Sequence, residues 1–173
     1  SRAGHVMQIL GVQTPFPLLK AMNLVTSKPA SDMAVAAPTA GGRMLSLVPW
    51  RGRAIVRTSQ SPGFVEPDDS AVTPVEIDAF ITEANEAFPA LKLTRSDVTL
   101  VHRGIVPAVA GRGGVPELKL APEIRDHASE GASGAITVVG VKYTSARGVA
   151  EHVTRAVPRR RGKRLAPSRT ATT

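Results

Sequence analysis

The segment Gly140–Arg147, with the sequence GVKYTSAR, carries the clearest chemical signal in this chain. It follows an apolar run over residues 135–141 that predicts a buried strand, and it leads into a stretch whose valines recur at helical spacing. A helix that begins directly after a strand, with Thr144 as its cap, directs several backbone N–H groups at one position and stabilises negative charge there. Lys142 reinforces that preference. The pattern therefore predicts a site for a negatively charged group, although an ordinary capped helix with a solvated lysine has the same pattern.

His102 and Arg103 form a second candidate pair, inside the otherwise apolar stretch 98–106. Alternation along a strand places His102 and Val106 on one face of the sheet. Arg103 is then on the other face. An arginine inside a buried sheet usually has a carboxylate partner or a ligand. An edge strand that turns Arg103 toward water accounts for the sequence equally well, so both interpretations stay open.

Other catalytic patterns are absent from the sequence. There is no cysteine, which excludes thiolate nucleophiles, disulfides and iron–sulfur clusters. The four histidines are scattered and no two of them have metal-ligand spacing, so we expect no metal site. The glycine-rich segment 111–116 has a proline where a dinucleotide-binding GxGxxG motif needs its third glycine, and no phosphate-binding P-loop occurs.

Positive charge is concentrated at one end of the chain. The 173 residues contain 22 basic and 14 acidic residues, a net charge of +8. From Arg155 onward the sequence has seven basic residues and no acidic one. We expect residues 158–173 to form a basic, disordered tail rather than a nucleic-acid interface, because no aromatic residue is interleaved with the basic ones. A basic module that contacts nucleic acid through this tail is the alternative function.

Short extended segments separated by glycine and proline must position these candidates. The predicted strands span residues 21–26, 33–37, 43–48, 54–58, 98–106, 117–120 and 135–141. We also expect Pro49 to end its strand and residues 126–134 to form polar turns. The clearest helix begins with a capping box at Thr73–Glu76, continues with an apolar stripe and ends before Pro89. Strands outnumber helices and rarely alternate with them, so the predicted fold class is α+β, with mostly antiparallel sheet and a few packing helices.

Four blocks of the sequence resemble a known family when they are taken together. They are residues 47–53 (LVPWRGR), 72–78 (VTPVEID), 93–98 (LTRSDV) and 140–147 (GVKYTSAR). In this order and spacing they resemble the FAD-dependent glycerol-3-phosphate dehydrogenases of the D-amino-acid-oxidase-like superfamily, whose pattern G-[GV]-K-[LY]-T-[ST]-x-R matches the last block. The chain is thereby identified as similar to the substrate, or cap, domain of an FAD-dependent oxidoreductase.

The resemblance implies a flavoprotein that transfers hydride to FAD from a small hydroxylated substrate, which is phosphorylated in that family. It places the strand-to-helix junction against the flavin. The implied cofactor-binding residues are Gly140, Val141, Lys142, Tyr143, Thr144 and Ser145. The resemblance further implies catalytic roles for Lys142 and Arg103, and contacts with the substrate for His102, Arg103 and Arg147.

The chain also departs from this family. The nucleotide-binding half with its GxGxxG motif is absent, so we expect residues 1–157 to form a substrate-binding fragment with a second flavin-contact segment at 135–157. Its partner would be the missing FAD-binding half, and the isolated chain would be inactive and would not retain FAD. The family's substrate-binding arginine corresponds to Val106, and its active-site histidine is absent from residues 24–32. A non-catalytic remnant is therefore a further alternative.

Hydropathy bears on the location of the protein. No apolar run approaches the roughly 18–20 residues that a membrane span needs, and no signal peptide opens the chain. We expect no transmembrane segment and a cytoplasmic location, or a membrane-peripheral one for the full-length enzyme.

Overall fold

The computed structural model describes residues 3–12 and 16–160. It divides into two compact units, one of residues 17–117 and the other combining residues 1–16 with residues 118–173. The assignment of residues 1–157 as a substrate-binding fragment, with a second flavin-contact segment at 135–157, stays a prediction.

A six-stranded sheet forms the unit of residues 17–117. Its strands are β1 (Leu18–Thr26), β2 (Val35–Pro38), β3 (Met44–Trp50), β4 (Arg53–Gln60), β5 (Val98–Ala110) and β6 (Pro116–Leu118). Their spatial order is β2-β3-β4-β1-β5-β6, and the pairs β1–β4, β1–β5, β2–β3 and β3–β4 are antiparallel. The predicted fold class, α+β with mostly antiparallel sheet, is confirmed.

Helix α2 (Pro74–Ala87) begins and ends where its local sequence predicts. The Thr73 hydroxyl oxygen accepts a hydrogen bond from the Glu76 N–H at 3.2 Å, and the Glu76 carboxylate accepts one from the Thr73 N–H at 2.7 Å. This reciprocal arrangement satisfies two donors that the helix itself cannot satisfy. Proline at the first helical position is also favourable, because its fixed φ suits a helix and no N–H is needed there.

One face of the sheet packs against α2. The helix contributes Phe80, Ile81 and Ala84, and Leu91 and Leu93 follow from the loop after it. The sheet contributes four buried side chains from its central strands, namely Met22, Leu24, Leu45 and Val56. Phe80 is only 1% exposed, so the removal of its ring from water is one of the larger single contributions to this core. The opposite face of the sheet carries none of this cluster.

The hairpin between β3 and β4 differs from the prediction at Pro49. The strand continues to Trp50, and Pro49 pairs with Ala54. Proline lacks the N–H that a ladder hydrogen bond needs, but it is tolerated next to the turn, where the ladder ends. The chain reverses instead at Arg51 and Gly52, whose φ angles of 49° and 74° are both left-handed.

The other unit contains α1 (Ala3–Ile9), the hairpin of β7 (Glu123–Asp126) and β8 (Ile136–Val139), and α3 (Ala146–Arg160). The β7 strand was not predicted, and it pairs antiparallel with β8. The prediction of a buried strand over 135–141 is wrong: β8 has four residues and belongs to a two-stranded sheet, and Val139 is its only buried residue. A two-stranded sheet has no central strand, so both faces of β8 stay partly open.

Residues 126–134, predicted as polar turns, do contain a turn, but they also hold one of the most buried side chains described. His127 is 0% exposed, and it lies just before the 3₁₀ turn of residues 128–130. The predicted basic tail falls mostly outside the described residues. Only its first residues, 158–160, are described, and their backbone continues α3. Within the described part of the chain, no helix is long and apolar enough to cross a membrane.

Candidate functional site

The predicted strand-to-helix junction is present, but its first turn is closed differently from the prediction. Strand β8 ends at Val139, a 3₁₀ turn covers Tyr143–Ser145, and α3 follows. The Ser145 N–H and the Ser145 hydroxyl both donate to the Lys142 carbonyl oxygen, at 3.2 and 2.9 Å. Thr144 was predicted to cap the helix, yet it lies inside the turn because this tight turn precedes α3.

The junction presents hydrogen-bond donors and positive charge to its surroundings. The N–H groups of Tyr143 and Thr144 are the first of the turn. No carbonyl oxygen within the turn is therefore placed to accept a hydrogen bond from them. The Lys142 side chain is exposed, and among the described residues it has no ion pair or hydrogen bond. Tyr143 is fully exposed. The backbone and Lys142 together can stabilise a negative charge that approaches this turn.

Arg147 lies one turn into α3 and is engaged within that helix. Its guanidinium donates to Glu151 Oε2 at 2.9 Å, and Arg155 also pairs with the same carboxylate. The hydrogen bond from Arg147, followed by the charge of Arg155, lowers the pKa of Glu151. Any contact between Arg147 and a substrate would have to compete with this pairing.

Strand register separates the two other predicted substrate residues. In the pairing of β1 with β5, His102 lies opposite Asn23 and Arg103 lies opposite Met22. Met22 belongs to the core beneath α2, so Arg103 is on the helix-covered face and His102 is on the opposite face. The alternation inferred from the sequence is the one observed. We call the face that carries His102 the His102 face of the sheet, and Leu19 and Val25 on this face are buried.

The His102 face carries a row of four polar side chains, of which only His102 was identified from the sequence. Ser46 on β3 pairs with Arg57 on β4, Arg57 lies beside Asn23 on β1, and Asn23 pairs with His102 on β5. The register between β1 and β4 shifts by one residue at Asn23, so this residue faces both positions 57 and 58. We call Ser46, Arg57, Asn23 and His102 the polar row.

No signal within a short window could have identified this row. Its members lie on four different strands and are separated by up to 79 positions in the sequence, from Asn23 to His102. Only the pairing of β3, β4, β1 and β5 brings them to the same level of the sheet.

The donor set at the junction suits an anionic or electron-accepting ring better than a metal ion. Among residues 3–12 and 16–160, no three His, Asp or Glu side chains come together as a metal site would need. The junction instead offers backbone N–H groups and a lysine, which hold anionic oxygens and not cations. A dinucleotide-binding GxGxxG motif does not occur anywhere in the 173 residues.

Comparisons with known proteins agree on one family, although no family model matches the chain. The chain is 29% identical over 150 residues to the aerobic glycerol-3-phosphate dehydrogenase of Staphylococcus aureus (strain USA300), covering 86% of this chain and 24% of that protein. It is 29% identical over 111 residues to the glycerol-3-phosphate dehydrogenase of Synechocystis sp. (strain ATCC 27184 / PCC 6803 / Kazusa), covering 62% of this chain and 20% of that protein.

A solved structure supports the same relationship. The glycerol-3-phosphate dehydrogenase from Bacillus halodurans, determined in complex with FAD, superposes with a TM-score of 0.66 at 26% identity, covering 88% of this chain and 29% of that one. The resemblance to FAD-dependent glycerol-3-phosphate dehydrogenases is therefore confirmed in sequence and in fold. The chain spans about a quarter of the length of the curated relatives it matches.

Proposed function

We propose that this chain is the substrate-binding part of an FAD-dependent oxidoreductase of the glycerol-3-phosphate dehydrogenase type. The proposal is carried by the junction at residues 140–145, in which an exposed lysine without a partner stands beside open backbone N–H groups. The similarity to a dehydrogenase determined in complex with FAD supports a flavin as the ligand of that arrangement. FAD, when bound, supplies the hydride acceptor.

The role of the junction in this proposal is electrostatic. The N–H groups of Tyr143 and Thr144, together with the Lys142 ammonium, stabilise negative charge that develops on a ring held against the turn. Donors that are already oriented need no reorganisation when the charge appears, which is why such groups accelerate charge-forming steps. Gly140 supports a close approach, because there is open space where a side chain would begin.

The substrate, in this proposal, is a small hydroxylated molecule. Of the predicted substrate residues, His102 lies on the face of the sheet away from α2. Arg103 lies on the face that packs against α2, and Arg147 is paired with Glu151. The assignments of Arg103 and Arg147 stay predictions. So do the cytoplasmic or membrane-peripheral location and the FAD-binding half as partner.

The decisive experiment measures flavin reduction in the full-length enzyme. We expect Lys142→Ala to slow reduction by the substrate on the order of 100-fold, as the loss of one oriented charge-stabilising donor does in other enzymes. Lys142→Arg should restore part of the rate because it keeps the positive charge. Lys92→Ala is the matched control, since Lys92 is an exposed lysine in a loop of the other unit. Reduction by Lys142→Ala at the unaltered rate would contradict the proposal.

A second experiment uses the 173-residue chain itself. Because the sequence lacks a pyrophosphate-binding motif, we expect the purified chain to bind FAD weakly or not at all. A purified sample with stoichiometric flavin absorbance would overturn this expectation. The alternative of nucleic-acid binding through residues 158–173 is tested by a salt-dependent DNA titration with and without that segment, in which binding that does not depend on the segment removes the alternative.

A further inference from the structure

We propose that Ser145 is a positioning residue for the junction, because its hydroxyl group fixes the direction in which the Tyr143 N–H points. The inference rests on the proposed function, since it concerns the same turn, but it gives a role to a side chain that does not itself need to touch the flavin. Ser145 is partly buried, whereas Lys142, Tyr143 and Thr144 before it are exposed.

Two hydrogen bonds from Ser145 hold the Lys142 carbonyl oxygen. The Ser145 N–H donates to this oxygen at 3.2 Å, and the Ser145 hydroxyl donates to it at 2.9 Å. The backbone bond is at the long end of the ordinary range, so the hydroxyl supplies the shorter of the two contacts. A hydroxyl has a single hydrogen to donate, so Ser145 cannot also donate to a bound ring while it holds this carbonyl. This role differs from the direct cofactor contact that the family resemblance implies.

The direction of the Lys142 carbonyl determines the direction of the Tyr143 N–H. The two groups belong to one planar trans peptide, in which C=O and N–H point in opposite directions. While the Lys142 oxygen is turned toward Ser145, the Tyr143 N–H is turned away from that residue. Within the described part of the chain, no side chain caps this turn. Rotation of the peptide would present a carbonyl oxygen in place of the N–H and would repel negative charge.

The direction of this N–H matters when the flavin is reduced. A hydride brings two electrons and one proton, so the reduced ring carries one more negative charge than the oxidised ring. A donor that is already directed at this charge stabilises the reduced form and the step that produces it. Ser145 therefore raises both the rate of flavin reduction and the reduction potential, and it does so through the backbone.

The test compares variants of the full-length enzyme with FAD bound. We expect Ser145→Ala to slow reduction by glycerol 3-phosphate, the probe substrate, about fivefold, as the loss of one hydrogen bond of ordinary strength does. An equal loss in the equilibrium of two-electron reduction lowers the midpoint potential of the flavin by about 20 mV. Ser145→Thr keeps the hydroxyl and should keep both values. If Ser145→Ala retains no flavin, Ser145→Val is compared with Ser145→Thr, since valine has the shape of threonine without its hydroxyl.

Thr154→Ala is the matched control. The Thr154 hydroxyl donates to the Glu151 carbonyl oxygen at 3.0 Å, so this variant loses the same kind of bond from α3, away from the junction. We expect its rate of reduction and its potential to equal those of the unaltered enzyme. Equal changes in Thr154→Ala and Ser145→Ala would show a general effect on α3 and overturn the proposal. An unaltered rate and potential in Ser145→Ala would overturn it as well.

A measurement without flavin separates positioning from direct contact. In the 173-residue chain, the amide at position 145 is the reporter, because it donates to the Lys142 carbonyl oxygen. We expect Ser145→Ala to reduce the protection of this amide from hydrogen exchange roughly threefold or more, measured by NMR and corrected for the intrinsic exchange rate, because the turn opens more readily. Ser145→Thr and Thr154→Ala should leave the protection unchanged. Unchanged protection in Ser145→Ala would mean that the hydroxyl does not hold the turn, and the proposal would be wrong.

Lys142→Ala, measured in the same way, keeps this proposal distinct from the proposed function. If Lys142→Ala lowers the rate and the potential while Ser145→Ala lowers neither, only the positioning role is wrong. If neither variant changes them while the amide at position 145 still loses protection, Ser145 holds the turn but the turn does not face the flavin. In that case the proposed function is wrong, and so is the role of Ser145 in flavin reduction.

Discussion

Lys20 Nζ lies 2.6 Å from Glu76 Oε1, and this ion pair joins the first strand of the sheet to the first turn of α2. The same carboxylate accepts the N–H of Thr73 through its other oxygen, so one side chain closes the helix cap and anchors the helix to the sheet. Lys20 Nζ also donates to the Ala71 carbonyl oxygen at 2.7 Å. The start of α2 is therefore fixed by three contacts that meet at two side chains.

Removal of the cap should destabilise the unit of residues 17–117. We expect Thr73→Ala to lower the free energy of unfolding by about 1 kcal/mol, because the Glu76 N–H loses its acceptor. Thr82→Ala in the same helix is the matched control. The Thr82 hydroxyl only bonds back to the Asp78 carbonyl oxygen, and alanine favours helix, so its effect should be neutral or slightly stabilising. Urea unfolding measures the free energy of unfolding of both variants. Equal losses in Thr73→Ala and Thr82→Ala would contradict the role of the cap.

Acid should destabilise the protein through Glu76 and Asp97. The hydrogen bond from Lys20, followed by that from the Thr73 N–H, lowers the pKa of Glu76 from its ordinary value of 4.5. The Thr94 hydroxyl and N–H lower the pKa of Asp97 from 3.8. The unfolded chain therefore binds more protons than the folded one in this range, so stability is complete above about pH 5 and is lost as the pH falls through the lowered values.

Urea unfolding between pH 6 and pH 3 tests this dependence. We expect the midpoint to fall with pH in the unaltered protein and to fall less steeply in Glu76→Gln, which has no carboxyl group to protonate at that position. Glu86→Gln is the control, since Glu86 is exposed on the same helix and no contact of its side chain is described. If the urea midpoint fell equally steeply with pH in all three proteins, Glu76 would not contribute to the loss of stability in acid.

The helix α2 could be predicted from the sequence because its signals are local. The capping box and the final proline lie within 17 positions, from Thr73 to Pro89, and each acts on its immediate neighbours. The junction at residues 140–147 was found for the same reason. The residue that closes its first turn could not be predicted. Whether Thr144 or Ser145 does so depends on how tightly the backbone winds, and the pattern of residue types is the same in both cases.

The polar row and the buried His127 could not be predicted, because both depend on tertiary context. The row needs the register of four strands, which hydrogen bonding between distant segments fixes. His127 lies in a polar, turn-rich stretch, a composition that usually indicates the surface. Its burial became visible only with the unpredicted pairing of β7 and β8.

Asn85 should be important for the loop that follows α2. Its amide donates to the Leu93 carbonyl oxygen at 2.8 Å and accepts the Leu93 N–H at 2.6 Å, which closes the chain over eight positions beside the core. We expect Asn85→Ala to reduce the free energy of unfolding by about 2 kcal/mol, because two partly buried backbone groups lose their partners. Asn85→Asp retains the acceptor and should lose less. A loss in Asn85→Ala no larger than that in Glu86→Ala, measured by urea unfolding, would contradict this role.

His127 should hold together the hairpin that precedes the junction. The imidazole is fully buried, with Nε2 2.8 Å from the Thr137 hydroxyl on β8 and Nδ1 3.2 Å from Glu130 Oε1. We expect His127→Ala to destabilise this hairpin by about 2–4 kcal/mol, because it leaves a cavity and removes the partner of Thr137. Thr137→Val keeps the shape and loses only the hydroxyl, so about 1 kcal/mol is expected.

Amide hydrogen exchange resolves this effect along the chain. In His127→Ala, we expect exchange at the β7 and β8 amides to accelerate by at least tenfold, because local opening becomes easier, while the β1 and β4 amides keep their rates. His152→Ala is the matched control: His152 lies on the exposed surface of α3, where its Nδ1 is 2.8 Å from the Gly148 carbonyl oxygen. If the β7 and β8 amides exchange equally slowly in His127→Ala and His152→Ala, His127 does not hold β7 to β8 and the prediction is wrong. Since β8 ends at Val139, directly before Gly140, a looser hairpin would also loosen the turn that presents Lys142.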